Sequence, residues 1–332
     1  MDTLATDEGV RFLRTPDAAF SDLADYPWAA NYLSFEGLRL HYVDAGPRDG
    51  PIALLMHGMP TWGFLNRKII RRLTDAGWRC IAADHIGFGR SDKPVEDDWY
   101  SIARHAKAHR ALVETLDLGD VTLFCQDWGG PIGLAQALDM PERFSRLVIM
   151  NTWLHHEAYA YTDAIRRWNA QWREDGLFLT NVPERLSLGW FMMVSLGHMT
   201  AADLFTIVSQ ASYPALTPEA DAIRRGYDAP FEGLGRLGHA GPRRFPLSIP
   251  LDADPGETGR TQARQFDALL DWKKPINFIW GGADNVFTEG WGRKWADHYP
   301  QATFDLLADA GHFLQDTHGE AIADIFLERS AA

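Results

Sequence analysis

In the stretch Phe124-Cys125-Gln126-Asp127-Trp128-Gly129-Gly130, an acid stands one residue beyond an apolar run, and two glycines follow one residue later. The run Val121–Cys125 reads as a strand buried on both faces. Small residues stand two before and two after Asp127, and a helical pattern follows. This spacing permits a sharp strand-to-helix turn that presents its central side chain, with helix N–H groups pointing at the same place. No G-x-S-x-G occurs in the chain, so the presented group is a carboxylate and not a hydroxyl. The plainer alternative is an Asp that only caps a helix.

Outward from this turn, short apolar strands alternate with helices. Leu38–Asp44 alternates apolar and polar as a half-exposed strand does, and Ile52–Met56 is continuously apolar. Strands are also expected at Trp78–Ala83, Leu147–Met150, Pro275–Trp280 and Thr303–Leu307. Helices are expected at Asn66–Ala76, Ala103–Leu116, Gly133–Asp139, Thr261–Leu270, Glu289–His298 and about Glu320–Arg329. Such alternation indicates an α/β fold with a mostly parallel sheet flanked by helices. Between His155 and about Arg244 it fails: amphipathic helical stretches rich in Trp and Met replace it. A Pro/Gly/Asp-rich linker, Pro246–Gly259, precedes its return. A helical insertion over the carboxyl ends of the strands is the expected organisation.

The 332 residues carry Lys+Arg 32 against Asp+Glu 45, a net charge of −13, which gives no overall attraction for nucleic acid or anionic lipid. Charged residues make up 23%, ordinary for a globular chain. The two cysteines, Cys80 and Cys125, lie in apolar strand-like runs and form neither a disulfide framework nor a zinc spacing. With a charged N-terminus that lacks a signal-peptide core, and no apolar run of membrane-spanning length, a cytoplasmic protein is expected.

Three further segments bear on chemistry. His57-Gly58-Met59-Pro60-Thr61-Trp62 follows the strand Ile52–Met56, and its loop can turn backbone N–H groups toward Asp127. The N–H groups of Met59 and Trp128 would form a two-donor oxyanion hole. His57 is read as holding this loop. Gly281-Gly282-Ala283-Asp284 places an acid at the tip of one late strand, and Ala310-Gly311-His312-Phe313 places an imidazole after the next. Asp127, Asp284 and His312 thus stand in the chain order nucleophile, acid, base.

On these residues the chain resembles the haloalkane dehalogenases of the α/β-hydrolase superfamily, in the subfamily whose triad acid follows the later strand. The resemblance spans nearly the whole chain. It includes Leu13-Arg14-Thr15-Pro16-Asp17, His57-Gly58-x-Pro60-Thr61-Trp62, Asp84-x-x-Gly87-x-Gly89-x-Ser91-Asp92-Lys93-Pro94, Gln126-Asp127-Trp128-Gly129-Gly130 and Gly311-His312-Phe313-x-Gln315. It implies an α/β-hydrolase core in two parts, 1–152 and 246–332, with a helical cap, 153–245, inserted after strand 6. It implies Asp127 as nucleophile, His312 as base and Asp284 as the acid that orients it, with no cofactor and no metal. Trp128 is implied as one halide donor and a cap Trp as the other. Trp190, in Leu188-Gly189-Trp190-Phe191, matches best, with Trp153, Trp168 and Trp172 as rivals. The subfamily usually has Glu where Met59 stands, and a sister subfamily has a halide-binding Asn there. Met has no side-chain donor to offer.

These residue types suit a reaction at a carbon–halogen bond. A carboxylate is ionised at neutral pH and needs no base to attack carbon. Indole N–H groups can stabilise a departing halide without acting as acids. The expected partners are a small apolar halogenated substrate and the halide product, with no nucleic acid, no membrane and a monomeric enzyme. An epoxide hydrolase would use the same Asp with cap tyrosines, for which Tyr159, Tyr161, Tyr213 and Tyr227 are available. A non-catalytic protein that binds a small ligand in the same fold is the third reading.

Overall fold

The structure is a computed structural model, and it describes residues 2–173 and 186–331. Eight strands form the central sheet: β1 (Asn31–Phe35), β2 (Leu38–Ala45), β3 (Ile52–Met56), β4 (Arg79–Ala83), β5 (Val121–Asp127), β6 (Phe144–Thr152), β7 (Ile276–Gly281) and β8 (Thr303–Leu307). Their order across the sheet is β8-β7-β6-β5-β3-β4-β2-β1. Only the pairings of β2, with β1 and with β4, are antiparallel. The mostly parallel sheet expected from the alternation is therefore present. β1, a half-exposed edge hairpin partner of β2, was not among the expected strands.

Apolar side chains alternate along each inner strand and feed two layers. Leu54, Ile81, Leu123 and Ile149 pack on one face, and Leu55, Ala82, Phe124 and Val148 on the other. Full burial of each large side chain contributes about 1.5–3 kcal/mol. The sheet is covered by α1 (Arg67–Asp75), α2 (Ile102–Thr115) and α3 (Gly129–Asp139). α3 starts four residues earlier than expected. Gly129, its first residue, must be glycine because its backbone lies against β3, where a Cβ would come within 2.3 Å of the Met56 carbonyl. Pro131 is tolerated there because first-turn N–H groups have no intrahelical partner.

Between β6 and β7 lie α4 (Asp163–Arg173), α5 (Leu188–Ser195), α6 (Ala201–Gln210), α7 (Pro218–Asp228) and α8 (Ala240–Leu247), with no strand among the described residues. Ser187, Thr200 and Thr217 cap three of them, Thr200 through a full capping box with Asp203. The part of the expected insertion at 174–185 lies outside the described residues. The expected linker is shorter than Pro246–Gly259, because α8 runs to Leu247 and α9 (Gly256–Leu269) begins at Gly256. After β7 come α10 (Glu289–Ala296) and, after β8, α11 (Leu314–Ala331), which breaks at His318.

Buried polar contacts tie α7 to the sheet layers. Arg67 on α1 pairs with Asp316 on α11 at 2.7 Å, and the Tyr227 hydroxyl on α7 donates to the same carboxylate at 2.5 Å. Trp62 Nε1 donates to the Gly226 carbonyl at 2.9 Å. No helix among the described residues is long and apolar enough to cross a membrane.

Candidate active site

Asp127 ends β5 with φ at +49°, a left-handed conformation that side-chain-bearing residues adopt only when held there. What holds it is local. Thr152 Oγ1, at the end of neighbouring β6, donates to the Asp127 carbonyl at 2.5 Å, and α3 starts immediately after. The strand therefore cannot continue, and the carboxylate is thrust above the carboxyl edge of the sheet. Asp127 is the acid of a strand-to-helix elbow and not merely a helix cap.

The loop after β3 comes down onto this carboxylate. A Cβ on Gly58 would lie 2.2 Å from Asp127 Oδ1, so only glycine permits the approach. The Met59 N–H then donates to Oδ1 at 2.8 Å. The Trp128 N–H makes no hydrogen bond to this carboxylate among the described residues, so one of the two expected backbone donors is engaged. His57 lies behind the loop. Its Nδ1 is 2.9 Å from the Gly58 carbonyl, and its Nε2 accepts the His85 N–H at 3.0 Å. It holds the loop and does not reach Asp127.

His312, in the loop between β8 and α11, lies across from the elbow. Its Nε2 is 3.6 Å from Asp127 Oδ2 and its Nδ1 is 2.9 Å from Asp284 Oδ2. Gln126 Nε2 donates to the His312 carbonyl at 3.0 Å and so fixes its loop. Burial by itself would lower the imidazole pKa, but Asp284 and Asp127 on its two sides overcome this and raise it to about 10. Asp284 is 3% exposed and fully engaged. Asn151 Nδ2 donates to its Oδ2 at 2.7 Å and the Val286 N–H to its Oδ1 at 2.6 Å. Asn151 in turn accepts the Gly281 N–H at 2.7 Å. The sequence reading missed Asn151 and Thr152. Their signal was present: two polar residues, unsuited to a core, at the carboxyl end of a buried strand.

Above the elbow is a cavity of about 670 Å³. Asp127, Asp284 and His312 border it together with Met59, Trp128, Trp153, Trp168 and Phe287. The Trp128 ring packs edge-on against Trp153, with centroids 4.6 Å apart, and against Phe245 at 5.2 Å. Trp190, the expected cap indole, is not among the residues that border this cavity. On α5 it is Phe191 and Ser195, one turn apart, that face the cavity. Trp190 is rotated about 100° from Phe191; its ring lies 5.4 Å from Tyr213, with the Arg224 guanidinium over its face. Trp172 does not border the cavity either. On α4, Ala164, Trp168 and Gln171 recur at helical spacing along the cavity wall.

Of the four tyrosines an epoxide hydrolase could use, only Tyr161 borders the cavity, where its hydroxyl lies 2.9 Å from His155 Nδ1. Tyr227 is buried on Asp316, Tyr213 lies on Trp190, and Tyr159 packs on Trp291. The other shared motif residues are structural. Asp84 accepts the Gly63 and Arg90 N–H groups, each at 2.8 Å, and Lys93 Nζ donates to Thr15 and to two buried carbonyls. Among the described residues no His/Cys/Asp/Glu group could hold a metal ion.

The family described as alpha/beta hydrolase fold matches residues 51–217. A haloalkane dehalogenase of Mycolicibacterium paratuberculosis is 37% identical over 95% of this chain and 97% of its own. One from Psychrobacter cryohalolentis is 34% identical over 96% and 98%. Among solved structures, the tetrameric haloalkane dehalogenase DpaA from Paraglaciecola agarilytica is similar with a TM-score of 0.78 at 32% identity, covering 95% of this chain and 97% of that one. Likeness of this extent, over a chain whose acid stands where an esterase would carry its serine, places the protein among the haloalkane dehalogenases of the α/β-hydrolase fold.

Proposed function

We propose that Asp127 is the nucleophile, His312 the base and Asp284 its orienting acid in hydrolysis of a haloalkane to an alcohol, a halide ion and a proton. The observation that carries this reading is the unequal treatment of the two Asp127 oxygens. Oδ1 is tied to the Met59 N–H at 2.8 Å, which leaves Oδ2 to attack the substrate carbon. The carbon–halogen bond breaks with its electron pair going to the halide, and an alkyl ester remains on Asp127. Water then attacks the ester carbonyl carbon, His312 Nε2 takes its proton, and the alcohol leaves. Asp284, bonded to Nδ1 at 2.9 Å, fixes the tautomer in which Nε2 carries the lone pair for this role, and supports the imidazolium. The Met59 and Trp128 N–H groups receive the oxyanion of this second step.

The raised pKa of His312 fits this division of labour. Before alkylation the imidazole faces two carboxylates. Once Asp127 is an ester one negative charge is gone, and the ring releases a proton more readily just when a base is required.

Trp128 is one halide donor, and Trp168, which borders the cavity from α4, is preferred to Trp190 as the cap donor, with Trp153, also on the cavity wall, as its rival. The helices of 153–245 act as a cap that excludes water from the alkylation step. The enzyme is proposed to act as a monomer, since Asp127, Asp284 and His312 meet within the chain. Cys80 and Cys125 are buried free thiols, in keeping with a reducing cytoplasm. The test is incubation with 1,2-dibromoethane and, separately, styrene oxide. Free bromide is expected and diol is not; diol alone would favour epoxide hydrolysis, and neither product would favour a binding protein.

A further inference from the structure

We infer that His85 and His109 are positioning residues, a buried pair that holds the His57-Gly58-Met59 loop so that the Met59 N–H is placed for ester hydrolysis. This rests on the reading that the Met59 N–H receives the oxyanion. The pair lies beneath the loop and touches neither the cavity nor the carboxylate.

Each proton in the pair can be assigned from its partner. The His85 backbone N–H can only donate, so His57 Nε2 is bare and His57 carries its proton on Nδ1, toward the Gly58 carbonyl. The His57 carbonyl can only accept, so His85 Nε2, 2.8 Å away, carries a proton. His57 and His85 therefore hold each other through two reciprocal hydrogen bonds, with ring centroids 4.1 Å apart. The second His85 nitrogen, Nδ1, lies 2.6 Å from His109 Nε2. Burial, together with the neighbouring imidazoles, lowers the pKa of His85 well below the ordinary range and that of His109 to about 3. Both rings are therefore neutral, His85 Nδ1 is bare, and His109 Nε2–H donates to it. Protons run one way, from His109 to His85 to the loop carbonyl. Without the His109 donor, His85 could place its proton on Nδ1 and leave the His57 carbonyl unbonded.

The consequence falls mainly on one half-reaction. Alkylation withdraws charge from Asp127 Oδ1, whereas water attack on the ester puts a full negative charge there. A displaced Met59 N–H therefore costs most in hydrolysis.

The test uses the full-length enzyme with 1,2-dibromoethane. His109→Leu removes the donor and keeps an apolar filler; His109→Gln retains an N–H. We expect His109→Leu to slow alkyl-enzyme hydrolysis roughly tenfold, the effect of one hydrogen bond. The bromide burst should be nearly unchanged, the Asp127 adduct should accumulate, and His109→Gln should recover most of the loss. Histidine 15N spectra of the unmodified enzyme should show His85 protonated on Nε2, a readout that survives if the Leu variant does not fold. The inference is overturned by a His85 Nδ1–H tautomer, by equal slowing of both half-reactions, or by wild-type hydrolysis in His109→Leu. His312→Gln separates the two levels. If it traps no adduct on Asp127, the underlying reading fails and the inference with it. If it traps one while His109→Leu hydrolyses normally, only the inference fails.

Discussion

His312 Nε2 lies 3.6 Å from Asp127 Oδ2, and that separation couples the protonation of one residue to the chemistry of the other. An imidazole held between Asp127 and Asp284 keeps its proton to about pH 10. Asp127→Asn removes one of the two charges that raise it. In that variant His312 should titrate at lower pH than in the wild type, followed by histidine NMR. Identical titration in both proteins would mean that Asp127 does not act on His312. The same variant should release no halide, because an amide is a far poorer nucleophile than a carboxylate. Halide release near the wild-type rate, with deamidation excluded by mass, counts against the nucleophile assignment.

His312→Gln should part the two steps. Attack on carbon needs no proton transfer, whereas ester hydrolysis needs a base. The expected result is about one halide per enzyme molecule followed by a stop, with an alkyl group on the Asp127 peptide. Continued turnover, or an adduct on another residue, contradicts the mechanism.

Acid should destabilise the fold through the buried histidines. His109 is lowered to about 3 and His239 to about 4, both chiefly by burial. In the unfolded chain histidine binds its proton near pH 6.5. Between about pH 6.5 and 3 the unfolded state therefore holds more protons, so stability rises with pH and is lost as pH falls through that window. Each such histidine contributes a slope of about 1.4 kcal/mol per pH unit. His109→Gln, which does not titrate, should flatten the slope between pH 4 and 6 by about that amount. Urea midpoints across the range measure it; an unchanged slope would show that His109 is not buried in its neutral form.

How far the site could be read from the sequence depended on whether a role demands a residue type at a strand end. Asp127, Asp284 and His312 were legible because each follows an apolar strand at the one place where a sheet exposes side chains to a ligand. The Met59 N–H was legible because Gly58 and Pro60 shape the loop that carries it. The cap indole was not legible, for the opposite reason. Which face of an insertion helix meets the cavity depends on how that helix is rotated in its packing, and a Trp packs equally well on either side. Asn151 is visible as a polar residue at the end of a buried strand, but its partner Asp284 follows a different strand, and no sequence spacing links the two. β1 escaped because a half-buried edge strand carries a weak pattern.

Which indoles face the cavity decides which of them can bind halide. Trp128→Phe and Trp168→Phe each remove one indole N–H and keep most of the apolar surface. Losing a donor to an ionic partner in a dry site costs about 1.5–3 kcal/mol, roughly ten- to a hundredfold. The loss should appear in carbon–halogen cleavage and in halide binding followed by Trp fluorescence. Hydrolysis of a preformed alkyl-enzyme should change much less, since the halide takes no part in it. Trp190→Phe should leave halide affinity near wild type, because that ring lies against Tyr213 and Arg224, away from the cavity wall. Met59→Leu should also change little, since Met59 contributes only its backbone N–H, while Met59→Asn adds a side-chain donor and should tighten halide binding. If Trp153→Phe weakens halide binding while Trp168→Phe does not, the clamp exists but its second indole comes from the end of β6. If Trp190→Phe alone weakens it, the orientation of α5 described above is wrong. If no Trp substitution alters halide binding, the departing ion is stabilised by groups other than indoles, and the two-indole clamp is refuted.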